Sequence, residues 1–193
     1  MKAEIAVMTT ENVDADAIAR GGEILKKGGL VAFPTETVYG LGGNALDPKA
    51  SQKIYAAKGR PSDNPLIVHI AEMDRLYEIT REVPEKAKLL AEKCWPGPLT
   101  MILNKADIVP KETTGGLESV AVRFPSDVIA QELIKAGGGF VAAPSANTSG
   151  RPSPTMAEHV EEDLGDAIDM IIDGGPVGIG LESTIVDFTE DIP

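Results

Sequence analysis

Short runs of apolar residues alternate along the chain with segments whose apolar residues recur at helical spacing. The run from 30 to 33 is closed by Pro34, which predicts a short buried strand. In residues 14–27, Ile18 and Leu25 share one helical face, and a Gly-Gly pair follows directly. This pattern predicts a first helix that ends at those glycines.

The same criteria predict elements along the rest of the chain. Further helices are expected at 48–57, 72–80, 84–93, 126–136 and 155–163. Further strands are expected at 66–70, 99–103, 120–124, 140–143, 170–173 and 183–188. Alternating strands and helices favour a layered α/β fold. We expect a mixed sheet, because some connections are too short for helical crossovers.

Composition narrows the class of protein. The 193 residues are 42% apolar and 25% charged, which suits one compact domain with a substantial core. The net charge of −12 argues against non-specific binding along a nucleic-acid backbone. The single cysteine, Cys94, excludes an intramolecular disulfide. The sequence contains neither a signal peptide nor a membrane-spanning run, so the expected location is the cytoplasm.

A basic loop interrupts this acidic chain at residues 58–65. Lys58 and Arg60 flank a glycine, and Asn64 precedes the predicted strand at 66–70. Cations held on a rigid loop at a strand end are suited to anion recognition. A solvated turn after a helix remains the alternative, because lysine also stabilises a helix C-terminus.

Two further segments combine polar side chains with strand ends. Thr35 and Thr37 follow the strand at 30–33, and their hydroxyls are candidates for ligand contacts. Arg123 lies in an apolar strand, where alternation places it on the face opposite Val122. If that face borders a cavity, Arg123 would clamp a carboxylate, and otherwise it is an exposed or paired arginine.

The segment from Ser145 to Ser153 is dense in hydroxyl groups. With Asn147, it resembles a cradle for ribose or phosphate, although an ordinary serine-rich turn is also consistent with it. His69 lies in an apolar strand, and the pattern alone favours a buried core histidine. Ser183 either lines a pocket or begins the last strand.

The acidic residues form no evident dyad or metal triad, and the chain lacks a P-loop motif. Chemistry in such a protein would depend on positioning and charge neutralisation. A phosphate-containing substrate accompanied by Mg²⁺ is compatible with that kind of site.

Several segments, in order, resemble the YrdC-like family, the threonylcarbamoyl-AMP synthases of tRNA modification. They cover about residues 15 to 188 and comprise Pro34–Leu41, Lys58–Pro61, Asn64–Leu66, Trp95–Thr100, Val122–Arg123, Pro144–Asn147, Ser149–Gly150 and Glu182–Asp187. The resemblance implies a twisted mixed β-sheet flanked by helices, with an open concave cavity. It also implies formation of threonylcarbamoyl-AMP and pyrophosphate from L-threonine, bicarbonate and ATP, for the N6-threonylcarbamoyl modification of adenosine in tRNA.

The same resemblance assigns residues to two binding sites. The L-threonine site would comprise Thr35, Thr37, His69, Arg123, Ala143 and Ser183. The ATP site would comprise Lys58, Arg60, Asn64, Ser119, Ser145, Asn147 and Ser153. Lys58 and Arg60 would act catalytically by offsetting triphosphate charge, and Mg²⁺ would arrive with ATP without metal-ligating residues from the protein.

The expected organisation is a single YrdC-like catalytic domain over residues 1–193. Longer relatives continue with a linker and a second domain, so the abrupt end at Pro193 favours a fragment of the two-domain type over a short-type protein. The expected partners are the substrates and the downstream tRNA threonylcarbamoyl-transfer machinery, with no membrane. The alternative function is an RNA-binding module without independent catalysis, although the acidic charge predicts only weak RNA binding.

Overall fold

The computed structural model describes residues 2–190 and 192–193, which form nine strands and six helices. The strands are β1 Glu4–Val7, β2 Val31–Phe33, β3 Gly40–Asn44, β4 Ile67–His69, β5 Leu99–Asn104, β6 Ser119–Arg123, β7 Val141–Ala142, β8 Met170–Asp173 and β9 Thr184–Asp187. The helices are α1 Ala15–Lys26, α2 Pro48–Lys58, α3 Asp74–Ile79, α4 Glu85–Cys94, α5 Val128–Ala136 and α6 Ala157–Leu164.

All nine strands join one sheet in the order β1-β8-β2-β3-β7-β4-β6-β5-β9. The pairs β1/β8, β2/β8, β4/β6 and β5/β9 are parallel. The pairs β2/β3, β3/β7, β4/β7 and β5/β6 are antiparallel. The predicted mixed sheet is therefore confirmed.

Strand alternation divides the core between the two faces of the sheet. Val31 and Phe33 pack in one apolar cluster with residues of α1 and α5, whereas Ala32 packs in a second cluster. The second cluster contains apolar residues of α2, α3, α4 and α6. Helices therefore flank the sheet on both sides, as predicted.

The helices α1 and α5 cover only part of their face. Along β4 and β6, Val68 and Val122 belong to the opposite cluster, so Ile67, His69 and Arg123 alternate toward the α1/α5 side. There they line a cavity. The predicted concave cavity is formed by the part of the sheet that these two helices leave uncovered.

The sequence patterns located most elements within a few residues but missed β1 and β3. No strand is predicted over Gly40–Asn44, whereas this segment is a central strand paired to β2 and β7. A Cβ at Gly42 would lie 2.9 Å from both Phe33 Cε1 and Val141 Cγ1. Glycine at position 42 lets the backbone of β3 pack closely against the side chains of Phe33 and Val141. Because this packing requires glycine instead of an apolar side chain, the sequence of β3 lacks the alternation that is typical of a strand.

Within the part of the chain that the structure describes, no helix has the length and apolar character needed to cross a membrane.

Candidate functional site

A concave cavity of about 270 Å³ lies over the uncovered part of the sheet. Strands β4, β5, β6 and β9 supply its floor, and the loops that follow β2, α2 and β7 supply its walls. The polar residues that line it are Thr35, Thr37, Arg60, Asn64, His69, Arg123, Ser145, Glu182 and Ser183. Residues distant in sequence therefore converge on one site, as is usual for ligand cavities in open α/β sheets.

Arg123 is buried at the end of β6 and is held from several sides. Its Nη1 donates a hydrogen bond to Thr37 Oγ1 at 2.8 Å, and its Nε points at Gly97 O at 3.5 Å. Its Nη2 lies 2.7 Å from Glu36 Oε1. The guanidinium is thus fixed at the cavity wall, where it is placed to bind an anion.

His69 lies beside Arg123, because the parallel register of β4 and β6 pairs these two residues. Burial and the Arg123 charge lower the pKa of His69 to about 3. The imidazole is therefore neutral at pH 7, and its Nδ1 lies 3.1 Å from Ile67 O. The pattern-based interpretation as a buried histidine is correct. His69 also lines the cavity, and its contact with threonine stays a prediction.

The loop after β2 is held in place by its own threonine hydroxyls. Thr35 Oγ1 accepts from the Val38 backbone N–H at 3.3 Å and donates to Val38 O at 2.7 Å. The two threonine Oγ1 atoms, of Thr35 and Thr37, are 2.9 Å apart. Backbone N–H groups of Ile179 and Gly180 donate to the carbonyl groups of Glu36 and Thr37. This network gives the cavity a rigid wall of hydroxyl groups.

The two cations of the basic loop, Lys58 and Arg60, lie in different environments. Gly59 ends α2 with a φ of 61°, a left-handed conformation that favours glycine. Arg60 lines the cavity, and its guanidinium donates to Asn64 O at 3.3 Å and Pro65 O at 3.2 Å. Burial lowers the pKa of Arg60. In residues 2–190 and 192–193 no carboxylate lies within ion-pair distance of Arg60, so its charge is available to a ligand.

The structure does not bring Lys58 to the cavity wall. Its ammonium is buried and donates to the carbonyl groups of Ser145 and Asn147, while the Lys58 carbonyl accepts from the Ser149 backbone N–H at 2.8 Å. Burial, with a contribution from Arg60, lowers the pKa of Lys58 to about 8. Lys58 therefore ties α2 to the loop that carries Ser145, and a contact of its ammonium with a triphosphate stays a prediction.

The hydroxyl-rich loop is only partly exposed to the cavity. Ser145 lines it, whereas Asn147 is buried and its side-chain amide donates to Thr148 O and Arg151 O. Ser153 lies outside the lining and donates to the Glu182 carboxylate, which does line the cavity.

Some of the remaining predicted residues line the cavity, and others lie outside its lining. Ser183 and Ala143 line the cavity, and Ser183 Oγ lies 2.7 Å from Thr100 Oγ1. Ser119 begins β6 on the same face as Arg123 but lies outside the lining. The structure thus brings together Thr35, Thr37, Arg60, Asn64, His69, Arg123, Ala143, Ser145 and Ser183, and it leaves Lys58, Ser119, Asn147 and Ser153 outside the lining.

Two acidic residues of this region were missed from sequence. Glu36 contacts Arg123, and Glu182 lines the cavity next to Ser183. Both lie inside segments that carry the family resemblance, but neither segment indicates which of its side chains is buried. Over the described ranges, no group of three or more His, Cys, Asp or Glu side chains is arranged to hold a metal ion.

The fold and cavity define an α/β protein whose cavity, built at strand ends, is lined by two arginines. The chain belongs to the Sua5/YciO/YrdC family, whose description reads "Telomere recombination" and whose model matches residues 23–193.

Similar proteins share most of this chain but are longer. The chain is 52% identical to the threonylcarbamoyl-AMP synthase of Pyrococcus abyssi over 96% of its own length and 55% of that protein. It is 55% identical to the threonylcarbamoyl-AMP synthase of Bacillus subtilis over 91% of its length and 51% of that protein. The chain therefore spans about half the length of the curated relatives it matches.

A solved structure of a relative supports the fold directly. The crystal structure of P. abyssi Sua5 complexed with L-threonine matches 99% of this chain and 55% of that chain, with a TM-score of 0.94 and 50% identity. The twisted mixed sheet with flanking helices is thus the fold that the resemblance implied.

Proposed function

We propose that this chain acts as a threonylcarbamoyl-AMP synthase, which forms threonylcarbamoyl-AMP and pyrophosphate from L-threonine, bicarbonate and ATP. The observation that carries the proposal is that one cavity is lined by two separate arginine side chains, Arg60 and Arg123. Arg123 lies beside Thr37 and His69, whereas Arg60 lies on the loop after α2 with Asn64. One cation suits an amino-acid carboxylate and the other suits a phosphate chain.

The relatives support the assignment of these two substrates. Two of them, at 52% and 55% identity, are threonylcarbamoyl-AMP synthases, and a relative of the same fold has been solved with L-threonine. We place the threonine carboxylate on Arg123, with Thr35, Thr37, His69, Ala143 and Ser183 around the amino acid. His69, being neutral, can hydrogen-bond to a hydroxyl without adding charge to the pocket.

The proposed ATP side contains Arg60, Asn64 and Ser145 as direct contacts. Lys58 and Asn147 would act by fixing the loop that presents Ser145, because their side chains bond within the protein. Ser153 would act through Glu182, to which it donates. We retain Ser119 as a peripheral contact at the start of β6.

The reaction requires two bond-forming steps. The threonine amine attacks the carbon of CO₂ and loses a proton to form a carbamate. When bicarbonate is attacked instead, one of its C–O bonds breaks and water leaves. A carbamate oxygen then attacks the α-phosphorus of ATP, and the bond to the β-phosphate breaks as pyrophosphate leaves. Arg60 offsets the negative charge that develops on the departing phosphates, and removal of such a fixed donor typically costs about 3 kcal/mol of transition-state stabilisation.

Mg²⁺ would enter with ATP, bound to the phosphate oxygens and neutralising part of their charge. The cavity wall offers one carboxylate, Glu182, and Ser153 already donates to it. This donor set does not form a metal cage, so the protein residues fit a nucleotide-bound ion better than an independent metal site.

The product would be passed to the tRNA threonylcarbamoyl-transfer machinery in the cytoplasm. Direct RNA binding by this chain would be weak and sensitive to salt, because the net charge is −12. We also propose that residues 1–193 form one catalytic domain.

The test is pyrophosphate release by the complete protein, measured with Mg²⁺ and with L-threonine, bicarbonate or ATP omitted in turn. We expect release only when all three substrates are present. Release that does not depend on threonine, or no release at any Mg²⁺ concentration, would contradict the proposal. Threonine binding by residues 1–193, measured by isothermal titration, tests the amino-acid site separately.

A further inference from the structure

Glu36 is the acidic partner of the cavity arginine, and sequence reasoning assigned it no role. Its Oε1 lies 2.7 Å from Arg123 Nη2, and the exposed fractions of the two side chains are 16% and 5%. The neighbouring Nη1 of the same guanidinium donates to Thr37 Oγ1. Glu36 and Thr37 therefore hold adjacent nitrogens of one guanidinium from one loop.

Glu36 approaches Arg123 from behind the cavity wall. Arg123 and Thr37 line the cavity, but Glu36 does not. Both carboxylate oxygens of Glu36 are buried, and among the described residues neither of them accepts a hydrogen bond. Glu36 Oε1 and Arg123 Nη2 thus form a close charge pair at 2.7 Å without a hydrogen bond between them.

Burial of the Glu36 carboxylate in this arrangement lowers the stability of the fold. A buried carboxylate without hydrogen bonds is poorly compensated by one charge pair. A second acid, Asp127, lies close enough for Glu36 to contribute, after burial, to raising the pKa of Asp127. Glu36 therefore has one close cation, Arg123, and a second acid nearby, whereas a hydrogen-bonded carboxylate would be a more stable partner for the guanidinium.

We propose that Glu36 is a positioning residue that fixes the guanidinium of Arg123 from behind, so that its remaining N–H groups face the cavity and receive the carboxylate of the amino-acid substrate. The part of this proposal that concerns the substrate rests on the proposed function. The orientation of Arg123 does not depend on that function.

Electrostatics and positioning predict opposite results when the charge of Glu36 is removed. By Coulomb's law alone, loss of a negative charge beside Arg123 strengthens the binding of an anion. Positioning instead predicts weaker binding, because a released guanidinium must be ordered again when the ligand arrives. The sign of the change therefore separates the two effects.

The first measurement is rotation of the Arg123 guanidinium, followed by NMR of its side-chain N–H signals in residues 1–193. Glu36→Gln keeps the shape of the side chain and removes the charge. We expect separate, slowly exchanging Nη signals in the parent protein and averaged signals in Glu36→Gln. Loss of the signals in Arg123→Lys assigns them. The matched control is Glu78→Gln, which removes the charge of an exposed partner of Arg75 at 3.1 Å.

Unchanged Arg123 signals in Glu36→Gln would overturn the proposal. If this variant does not fold, Glu36→Asp keeps the charge but withdraws it by one methylene. We then expect faster rotation of the guanidinium than in the parent protein, and equal rates would overturn the proposal in the same way.

The second measurement is the affinity for L-threonine and for Mg²⁺-ATP by isothermal titration. We expect Glu36→Gln to weaken threonine binding about twentyfold, the middle of the range for coupled neighbouring side chains, and to leave ATP binding unchanged. Threonine binding that is unchanged or tighter would overturn the proposal, and so would an equal loss for both ligands. If the parent protein binds no threonine, the proposed function fails, and the NMR result still decides whether Glu36 positions Arg123.

Discussion

Replacement of Arg123 by alanine should strongly weaken threonine binding and also weaken the fold, and the structure gives a reason for each effect. The side chain loses its hydrogen bond to Thr37 Oγ1 and its 2.7 Å contact with Glu36. In the proposed complex Arg123 pairs with the threonine carboxylate, and removing one partner of such a buried, hydrogen-bonded charge pair costs about 2–5 kcal/mol of binding free energy. At about 3 kcal/mol, the threonine dissociation constant would rise by roughly 150-fold.

The stability cost has a separate origin. Without Arg123, the buried carboxylate of Glu36 has no cation beside it, which typically costs about 3–5 kcal/mol when one partner of a buried pair is removed. The double variant Arg123→Ala/Glu36→Gln removes that unpaired charge. We therefore expect the double variant to regain part of the lost unfolding free energy but none of the lost threonine affinity.

Urea denaturation and isothermal titration with threonine measure the two effects on the same samples. Arg123→Lys is the matched control, because it keeps the positive charge and loses the forked geometry. We expect it to bind threonine more weakly than the parent protein and more tightly than Arg123→Ala. Threonine affinity that is unchanged in Arg123→Ala would refute the assignment of Arg123 to the carboxylate.

Three further predictions concern stability. Burial lowers the pKa of His69 to about 3, so between pH 7 and pH 5 the unfolded chain binds a proton that the folded protein does not. Stability is therefore highest above about pH 6.5 and falls by about 2 kcal/mol from pH 7 to pH 5. Urea denaturation at both pH values should show a smaller fall in His69→Gln, and an equal fall would contradict the neutral buried imidazole. Lys58→Met leaves two carbonyl groups without their donor and should cost about 2 kcal/mol in the same assay, whereas a lysine that served only a ligand would cost nothing. Gly42→Ala places a Cβ 2.9 Å from Phe33 Cε1 and should cost about 1–3 kcal/mol by urea denaturation, with no loss expected if β3 can move away.

Much of the secondary structure was predictable because local patterns report burial. The helix predicted over 14–27 is α1, Ala15–Lys26, and Asp14 caps it by accepting from the Ala17 backbone N–H at 3.0 Å. The strand predicted at 120–124 is β6, and alternation placed Arg123 on the cavity face. In each case neighbours in sequence supply the signal, so no tertiary information was required.

The missed features have no local signal. The glycine-rich strand β3 forms because large side chains of adjacent strands pass over Gly42, which only strand order reveals. Glu36 appeared as one acid between two threonines, and nothing in the sequence distinguishes an exposed carboxylate from one beside Arg123. The direction of the Lys58 ammonium is set by carbonyl groups of residues 145 and 147, which lie far from Lys58 in the sequence.

By itself the sequence determined the class of fold, the family and the set of polar segments from which the cavity is built. These properties follow from burial patterns and motifs that short stretches of chain carry on their own. Only the tertiary structure decided which of those side chains share the cavity and which bond within the protein. That distinction depends on strand order and register, which place His69 against Arg123 and direct Lys58 toward backbone carbonyl groups. Such contacts join residues far apart in sequence, so they cannot be inferred from the neighbours of either one.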